Sequence, residues 1–342
     1  MFRLRDIVGY TCRADTPLRE VMLRFNEQLH LFMVVVDEAG RPLGTITDGD
    51  LRRSILRGQT VDAVAASAMN DKPRIGYLGQ SGNPVDQLKG GVIFLPMVDS
   101  NGILAEIWLP SAADEAIEDA LVMAGGYGRR LGERTRNTPK PLLEVAEKPL
   151  LEHMLGWLEN GGVKRIFVAV HYLADQIEDY LKARQTSTQH EIIRETEPLG
   201  TAGAVAYLAE RVKKSFLVVN ADVLTKLDIG AFTSFHHRHG YDGTLAVAPH
   251  VVEIPFGVIR QDEDGNFDGI DEKPRYSHFV SSGIYLLSSE FCSLVPRGQR
   301  FDMPELLNSG SKAGLRIGLF PIHEYWRDVG RETDFQSAQC EI

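Results

Sequence analysis

In the second half of the chain, apolar residues come in short unbroken runs. "DALVMAGG" from Asp119, "RIFVAV" from Arg165, "FLVVNAD" from Phe216 and "TLAVAP" from Thr244 each read as a strand buried on both faces. Between them, "ADQIEDYLKA" from Ala174 and "TAGAVAYLAERV" from Thr201 read as helices. Strands alternating with helices predict an α/β fold, a mostly parallel Rossmann-like sheet covered on both faces. Ligands of such sheets bind in the crevice beyond the carboxyl ends of the strands, so residues just after a strand carry the most weight. The first third has another texture. "LREVMLRFNEQ" from Leu18 predicts an amphipathic helix, "LFMVVVD" a buried strand, "GRPLGTIT" a turn and second strand, and "DGDLRRSILRG" a further helix. The order recurs more faintly in "GVIFLPMVDSNGILAEIWLP" from Gly91, which predicts two copies of a small α/β unit. The boundary is expected in "PSAADEAIEDA", residues 110–120, giving a domain over 1–114 and a larger one over 118–342.

Composition narrows the partners. The chain has 342 residues, 43% of them hydrophobic, and a formal net charge of −10. Such a balance argues against a nonspecific grip on nucleic acid or anionic lipid, so any basic site is local. Cys12, Cys292 and Cys340 are too few and too scattered for a disulfide framework or a thiolate metal site. No apolar run approaches the ~18–20 residues that span a bilayer. A soluble cytoplasmic protein is expected.

Candidate chemistry concentrates in "MAGGYGRRLGERTRNTPKPLLEV" from Met123, where glycines lie beside fixed positive charge. A Walker A loop needs Gly-x-x-x-x-Gly-Lys-[Ser/Thr], and no Gly-Lys pair follows Gly125 and Gly126. A dinucleotide fingerprint needs a third glycine where Leu131 stands. What remains is a loop whose backbone N–H groups can approach a phosphate chain, with Arg130 and Lys140 as cationic clamps.

Two resemblances follow from these stretches. "VVVDEAGRPLGTITDGDLRR", with Gly44, Thr47 and Asp50, resembles a CBS domain. A tandem pair of that family forms a cleft for adenine nucleotides, which implies that Thr47 and Asp50 contact ribose and phosphate. Packing and dimerisation are the alternative use of such a pair, and a homo-oligomer is expected. The second copy departs from the pattern, with "LPSAADE" where the first has "TDGDLRR".

The glycine stretch itself resembles the sugar-1-phosphate nucleotidyltransferases, whose Gly-Gly-x-Gly-[Ser/Thr]-Arg-Leu, Thr and Pro-Lys-Pro stand here as Gly125 to Leu131, Thr138 and Pro139 to Pro141. "EPLGTAGA", "NAD", "EKP", "SSGIYLL" and "WRDVG" follow in the family's order. Arg129 replaces the usual small hydroxyl residue, and "GERT" replaces a common Arg-Pro-Leu-Thr.

The resemblance implies attack by a sugar 1-phosphate oxygen on the α-phosphorus of a nucleoside triphosphate, giving a sugar nucleotide and pyrophosphate. Its nucleophile is already anionic, so the task is to relieve charge repulsion, and no general base is needed. The match implies that Arg130 and Lys140 bind the triphosphate and that Ala124, Gly125 and Gly126 contact base, ribose and phosphate. Gly200 and Thr201 would close over the base, Gly257 and Glu272 would meet the sugar hydroxyls, and Lys273 would lie near the sugar phosphate. Asp222 and Asp328 are assigned to Mg²⁺, which favours hard carboxylate oxygens. GTP is favoured over UTP and CTP, with an amino-hexose or mannose-like phosphate, as in enzymes that activate sugars for surface glycans. A nucleotide sensor without turnover is the alternative of a different class.

Two tempting features read more plainly. "HHRHG" from His236 follows a helical stretch and predicts a solvated helix end rather than a metal site. "DEDGNFD" from Asp262 has Lys273 where a calcium loop needs its last glutamate, and predicts a hairpin turn.

Overall fold

The computed structural model describes residues 2–27, 31–79, 94–109 and 117–341. Its largest unit is a seven-stranded sheet in the order Gln189–Arg194, Arg165–Val170, Asp119–Met123, Phe216–Asn220, Arg275–Leu287, Gly243–Glu253, Ile317–Pro321. The first four strands run parallel. Arg275–Leu287 alone opposes its neighbours, and Gly243–Glu253 and Ile317–Pro321 are again parallel.

The unbroken apolar runs have a direct cause. Ala120, Val122, Ile166, Val168, Leu217 and Val219 point to one face, where helices Leu150–Asn160, Ala174–Ala183 and Ile229–His239 cover them. Leu121, Phe167, Val218 and Leu287 point to the other, under helix Met303–Lys312 and the turns near Gly203–Leu208. Each side chain leaves water whichever way it points, so the strands show no polar alternation.

The helix expected over Thr201–Val212 is a correction. Only a 3-10 turn, Gly203–Leu208, forms there. The Ala202 N–H donates to the Phe301 carbonyl, and a Cβ on Gly203 would lie 2.6 Å from the Leu199 Cβ, so tertiary contacts bend the segment before a helix can develop. Ala204, Val205, Ala206 and Leu208 are all buried, which leaves no polar face for an amphipathic helix.

The strand expected at "TLAVAP" runs on to Glu253 and pairs with Arg275–Leu287 out to Glu253↔Arg275. The two extensions form an arm capped by the hairpin Val258–Gln261 and Phe267–Asp271. Its turn is "DEDGN", where Asp262 accepts the N–H groups of Asp264 and Asn266 and Gly265 takes φ +84°.

At the amino end, Thr11–Arg13 lies parallel to Phe32–Val36, which turns back antiparallel into Pro42–Thr47. The same order recurs in Gly76–Tyr77, Leu95–Val98 and Leu104–Leu109, with Phe2–Leu4 added at the edge. Even the turns match. Asp37 accepts from Ala39 and Arg41, and Asp99 accepts from Asn101 and Ile103, with Gly40 and Gly102 both left-handed. Residues 110–116, which hold "PSAADE", lie outside the described residues.

Arg52 fastens the two parts together. Its side chain is 1% exposed, bonds Asp48 at 2.5 Å and Glu324 at 3.0 Å, donates to the Pro321 carbonyl, and stacks 3.6 Å over Phe320. Beside it, Gly49 packs against Phe235. No helix among the described residues is long and apolar enough to cross a membrane.

Candidate active site

Four parallel strands end at one edge, and each is followed at once by a polar or glycine group. Asp119–Met123 opens into Ala124–Gly128, Arg165–Val170 into His171, Gln189–Arg194 into Glu195, and Phe216–Asn220 into Asp222. The ladder persists beyond the strands through Ala124 N–H to Ala169 O, Glu195 N–H to Val170 O and Ala221 N–H to Met123 O. The groups are therefore carried by rigid backbone. Between Asp119–Met123 and Phe216–Asn220 the strand order reverses, and that crevice is where an open α/β sheet admits a ligand.

The charged groups form a chain of neighbours around the crevice. Gly128 is left-handed at φ +65°, and a Cβ there would lie 2.7 Å from Thr135 and 3.1 Å from the Lys140 Cβ. Glycine thus lets the buried Lys140 stem run beneath the loop. The Lys140 ammonium meets the Asp222 carboxylate. Strand Val223–Thr225 pairs with Trp326–Asp328 in the register Val223↔Asp328, and the Val329 N–H donates to the Asp222 carbonyl at 2.9 Å. This short pairing brings residues over a hundred positions apart side by side. Gly330 leaves room for the Arg130 guanidinium, since a Cβ there would sit 3.1 Å from both Arg130 and Asp328.

Electrostatics agrees with the geometry. Burial, then the Asp222 charge, push the Asp328 carboxyl above its usual range, while Lys140 and Arg130 oppose that rise. Among the described residues no group of three or more His, Cys, Asp or Glu side chains is placed to hold a metal.

The sequence reading missed Glu195. Its Oε2 accepts the Leu199 N–H at 3.2 Å and would lie 3.2 Å from a Cβ on Gly125, while its Oε1 is buried without a hydrogen-bond partner. Burial raises its pKa, with the Leu199 N–H and His171 opposing. The usable signal was an acid directly after a strand, one residue before the "TEPLG" turn.

His171 and Tyr127 complete this side. His171 Nδ1 is 3.1 Å from the Glu195 carbonyl, and its Nε2 is 3.3 Å from the Tyr127 hydroxyl. Arg129 stacks its guanidinium 4.9 Å over Tyr127, which accounts for the unusual residue at that position. "GERT" is accounted for too. Arg134 makes a two-pronged bond to Glu332, and Thr135 bonds the Gly128 and Gly132 carbonyls, so both residues hold the loop's shape.

Other candidates have plainer partners. The Ala124 N–H is spent on the Ala169 carbonyl. Gly126 opens onto free space and can approach a ligand. Gly200, at φ +80°, would drive a Cβ to 2.5 Å from Asp302, and Thr201 bonds Asp302 while its hydroxyl accepts from the Met303 N–H. Their first task is to pin the turn beside Glu195. On the exposed arm, a Cβ on Gly257 would be 3.1 Å from Glu272 Oε2, and Lys273 is left-handed at φ +46°. The arm thus sets Glu272 beside Gly257, with Lys273 next in the chain.

The histidine run corrects the expected solvated end. His236 is 2% exposed between Ser215 and Thr244, and burial lowers its pKa to about 4. His239 turns toward Arg53 of the amino-terminal part, and only His237 faces solvent. His236 is buried within its own domain, while Arg238 and His239 are half-buried where the two parts of the chain meet.

Comparison with known proteins adds the following. Residues 4–57 match the CBS domain model, and residues 119–342 match the Nucleotidyl transferase model. The catalytic subunit beta of mannose-1-phosphate guanylyltransferase from Drosophila pseudoobscura pseudoobscura is 33% identical over 228 residues, 65% of this chain and 61% of that protein. Its Drosophila melanogaster counterpart is 34% identical over 233 residues, covering 65% and 62%. The chain thus spans about three fifths of the length of these relatives. HddC from Yersinia pseudotuberculosis, complexed with GMP-PN, has a TM-score of 0.52 and 27% identity, and covers 66% of this chain and 99% of its own. The extent of the match, over the whole of the seven-stranded sheet and its site, shows that the chain belongs to the nucleotidyl transferase family.

Proposed function

We propose that this protein transfers guanylyl from GTP to a hexose 1-phosphate of the mannose class, giving a GDP-sugar and pyrophosphate. The observation that carries the choice of base is the Glu195 carboxyl, whose Oε2 lies beside Gly125 of the glycine loop and whose Oε1 is buried without a hydrogen-bond partner. An ionised carboxylate only accepts hydrogen bonds. Guanine alone among the common bases offers two adjacent donors, N1–H and N2–H₂, on its pairing edge. Uracil and thymine present one N–H between two carbonyls, which a carboxylate repels, and adenine and cytosine place an acceptor beside their amino group. The relatives named as mannose-1-phosphate guanylyltransferases and the HddC complex with GMP-PN support the same base.

In this reading the glycine loop admits the triphosphate, and Arg130 and Lys140 offset its charge as the sugar-phosphate oxygen attacks the α-phosphorus and pyrophosphate departs. Lys140 must then exchange its bond to Asp222 for one to phosphate. Asp222 and Asp328 would hold a divalent cation, for which we propose Mg²⁺; burial and then the Asp222 charge raise Asp328, and a dication would offset that repulsion. Bound there, the cation would supply charge neutralisation to the transferring phosphoryl group. Gly257, Glu272 and Lys273 on the arm are assigned to the sugar side. Cys12, Cys292 and Cys340 are all free thiols, which supports a reducing, cytoplasmic setting. Thr47 and Asp50 line a cavity in the amino-terminal part, and we assign an adenine nucleotide to it.

The test is release of pyrophosphate from a panel of nucleoside triphosphates and sugar 1-phosphates with magnesium. Release with GTP and a mannose-type phosphate is expected. Nucleotide binding with no release across the panel would replace catalysis by sensing.

A further inference from the structure

The cavity that Thr47 and Asp50 line has a volume of about 560 Å³, ample for a mononucleotide. Its wall carries five basic residues, Arg53, Arg57, Lys72, Arg74 and Arg238, against two acids, Asp50 and Asp71. Asp50 is already spent. Its carboxylate accepts the Thr47 N–H and hydroxyl and meets Arg53. In a chain of net charge −10, this is a local excess of cations converging on one concavity, the arrangement that holds an anion of several charges. Phe94, stacked 3.9 Å on Phe32, lines the same cavity as a flat apolar surface suited to a base.

One of these cations belongs to the other domain. Arg238 stands on helix Ile229–His239 of the nucleotidyl transferase part and donates to the Thr47 hydroxyl at 3.0 Å. The next residue, His239, meets Arg53. The opposite end of that helix is capped by Asp228, and the strand leading to it, Val223–Thr225, starts directly after Asp222. A helix of 11 residues, ~16 Å long, thus joins the strand of the catalytic carboxylate to the wall of the cavity.

Building on the assignment of a nucleotide to this cavity, we propose that the site is composite: it binds a nucleotide with two or more phosphates, and Arg238 makes the catalytic domain part of it. A ligand held by both parts binds best when they are docked. Occupancy and the position of the helix are therefore linked, and where that position also sets the strand of Asp222 the ligand is coupled to turnover. Adenine and guanine nucleotides share the required phosphates, and the base contacts distinguish them.

The experiment is calorimetric titration of the full chain and of Asp222→Asn, Arg57→Ala and Arg238→Ala with AMP, ADP and GDP, paired with initial rates in the presence of ADP. Expected is a site that takes ADP at least about tenfold more tightly than AMP, is retained in Asp222→Asn, and is weakened about tenfold or more in both Arg57→Ala and Arg238→Ala. The basal rate of Arg238→Ala should match the wild type, while any ADP effect on the rate disappears. Undiminished ADP binding in Arg238→Ala would overturn the composite site yet leave a nucleotide site within the CBS part. Loss of the site in Asp222→Asn would place the ligand in the active site instead, and no binding by any nucleotide would overturn both readings. A GDP site lost in Arg238→Ala, without one for ADP, would keep the composite site and reassign its base.

Discussion

The crevice at the carboxyl edge of the large sheet and the cavity between the two parts of the chain both gather positive charge, but by different construction. In the crevice, parallel strands joined by backbone ladders deliver Gly125, His171, Glu195 and Asp222 to one edge. In the cavity, the cations come from helix Asp48–Leu56 and its end, from the segment around Lys72, and from a helix of the neighbouring domain. The first arrangement survives any motion that leaves the sheet intact. The second exists only while the two parts stay docked, with Arg52 buried between them, which suits a site that responds rather than one that catalyses.

The widest test of that contrast is Arg52→Ala. It strips Asp48 and Glu324 of their buried partner, and breaking such a pair costs about 3–5 kcal/mol. Urea unfolding should lose that stability or split into two transitions, while the sheet and the nucleotide crevice persist. A single transition shifted by less than about 1 kcal/mol would show that docking does not depend on Arg52.

Asp222→Asn probes the crevice instead. Turnover should fall by about 10²–10³-fold, or about 3–4 kcal/mol of transition-state stabilisation, with little change in melting temperature. Near-normal turnover would remove Asp222 from the chemistry.

His236 lies on the helix that links the two sites. Unfolded, it titrates near ~6.5; folded, burial holds it to about 4. As pH falls through that window the unfolded chain takes up a proton that the folded one refuses. Stability therefore falls with pH, by about 3 kcal/mol from this group, and is unaffected above the upper limit. His236→Gln should flatten the difference between unfolding curves at about pH 7 and about pH 4.5; an unchanged difference would locate the acid sensitivity elsewhere.

The smallest effect belongs to Arg129→Ser. It removes a cation–π contact with Tyr127 worth about 0.5–1 kcal/mol and should change KM for the triphosphate only a few-fold. A collapse of turnover would instead make Arg129 a phosphate ligand.

Much of this was legible because it depends on local chemistry. Runs such as "RIFVAV" can be satisfied only between two covered faces, and residues such as Asp222 acquire meaning from following them. Glycine at 128 was readable as a loop residue, but its need to clear the Lys140 stem was not. Glu195 escaped notice because its role depends on an oxygen left without a partner, which only packing reveals. Arg238 and His239 looked like a solvated helix end because the residues they meet lie almost two hundred positions earlier in the chain, at Thr47 and Arg53, while His236 is covered by Ser215 and Thr244. The segment Thr201–Val212 looked helical because its restraint, the Phe301 carbonyl, also lies far along the chain.

The claim that Glu195 reads guanine is tested most directly by kcat/KM for GTP relative to UTP in the wild type and in Glu195→Gln. A site built to pair a base's donors discriminates by up to about 10⁴–10⁵. The wild type should prefer GTP at least about a hundredfold, and Glu195→Gln, which exchanges one acceptor for a donor, should lose at least about tenfold of that preference. Equal ratios in the two proteins would contradict the account.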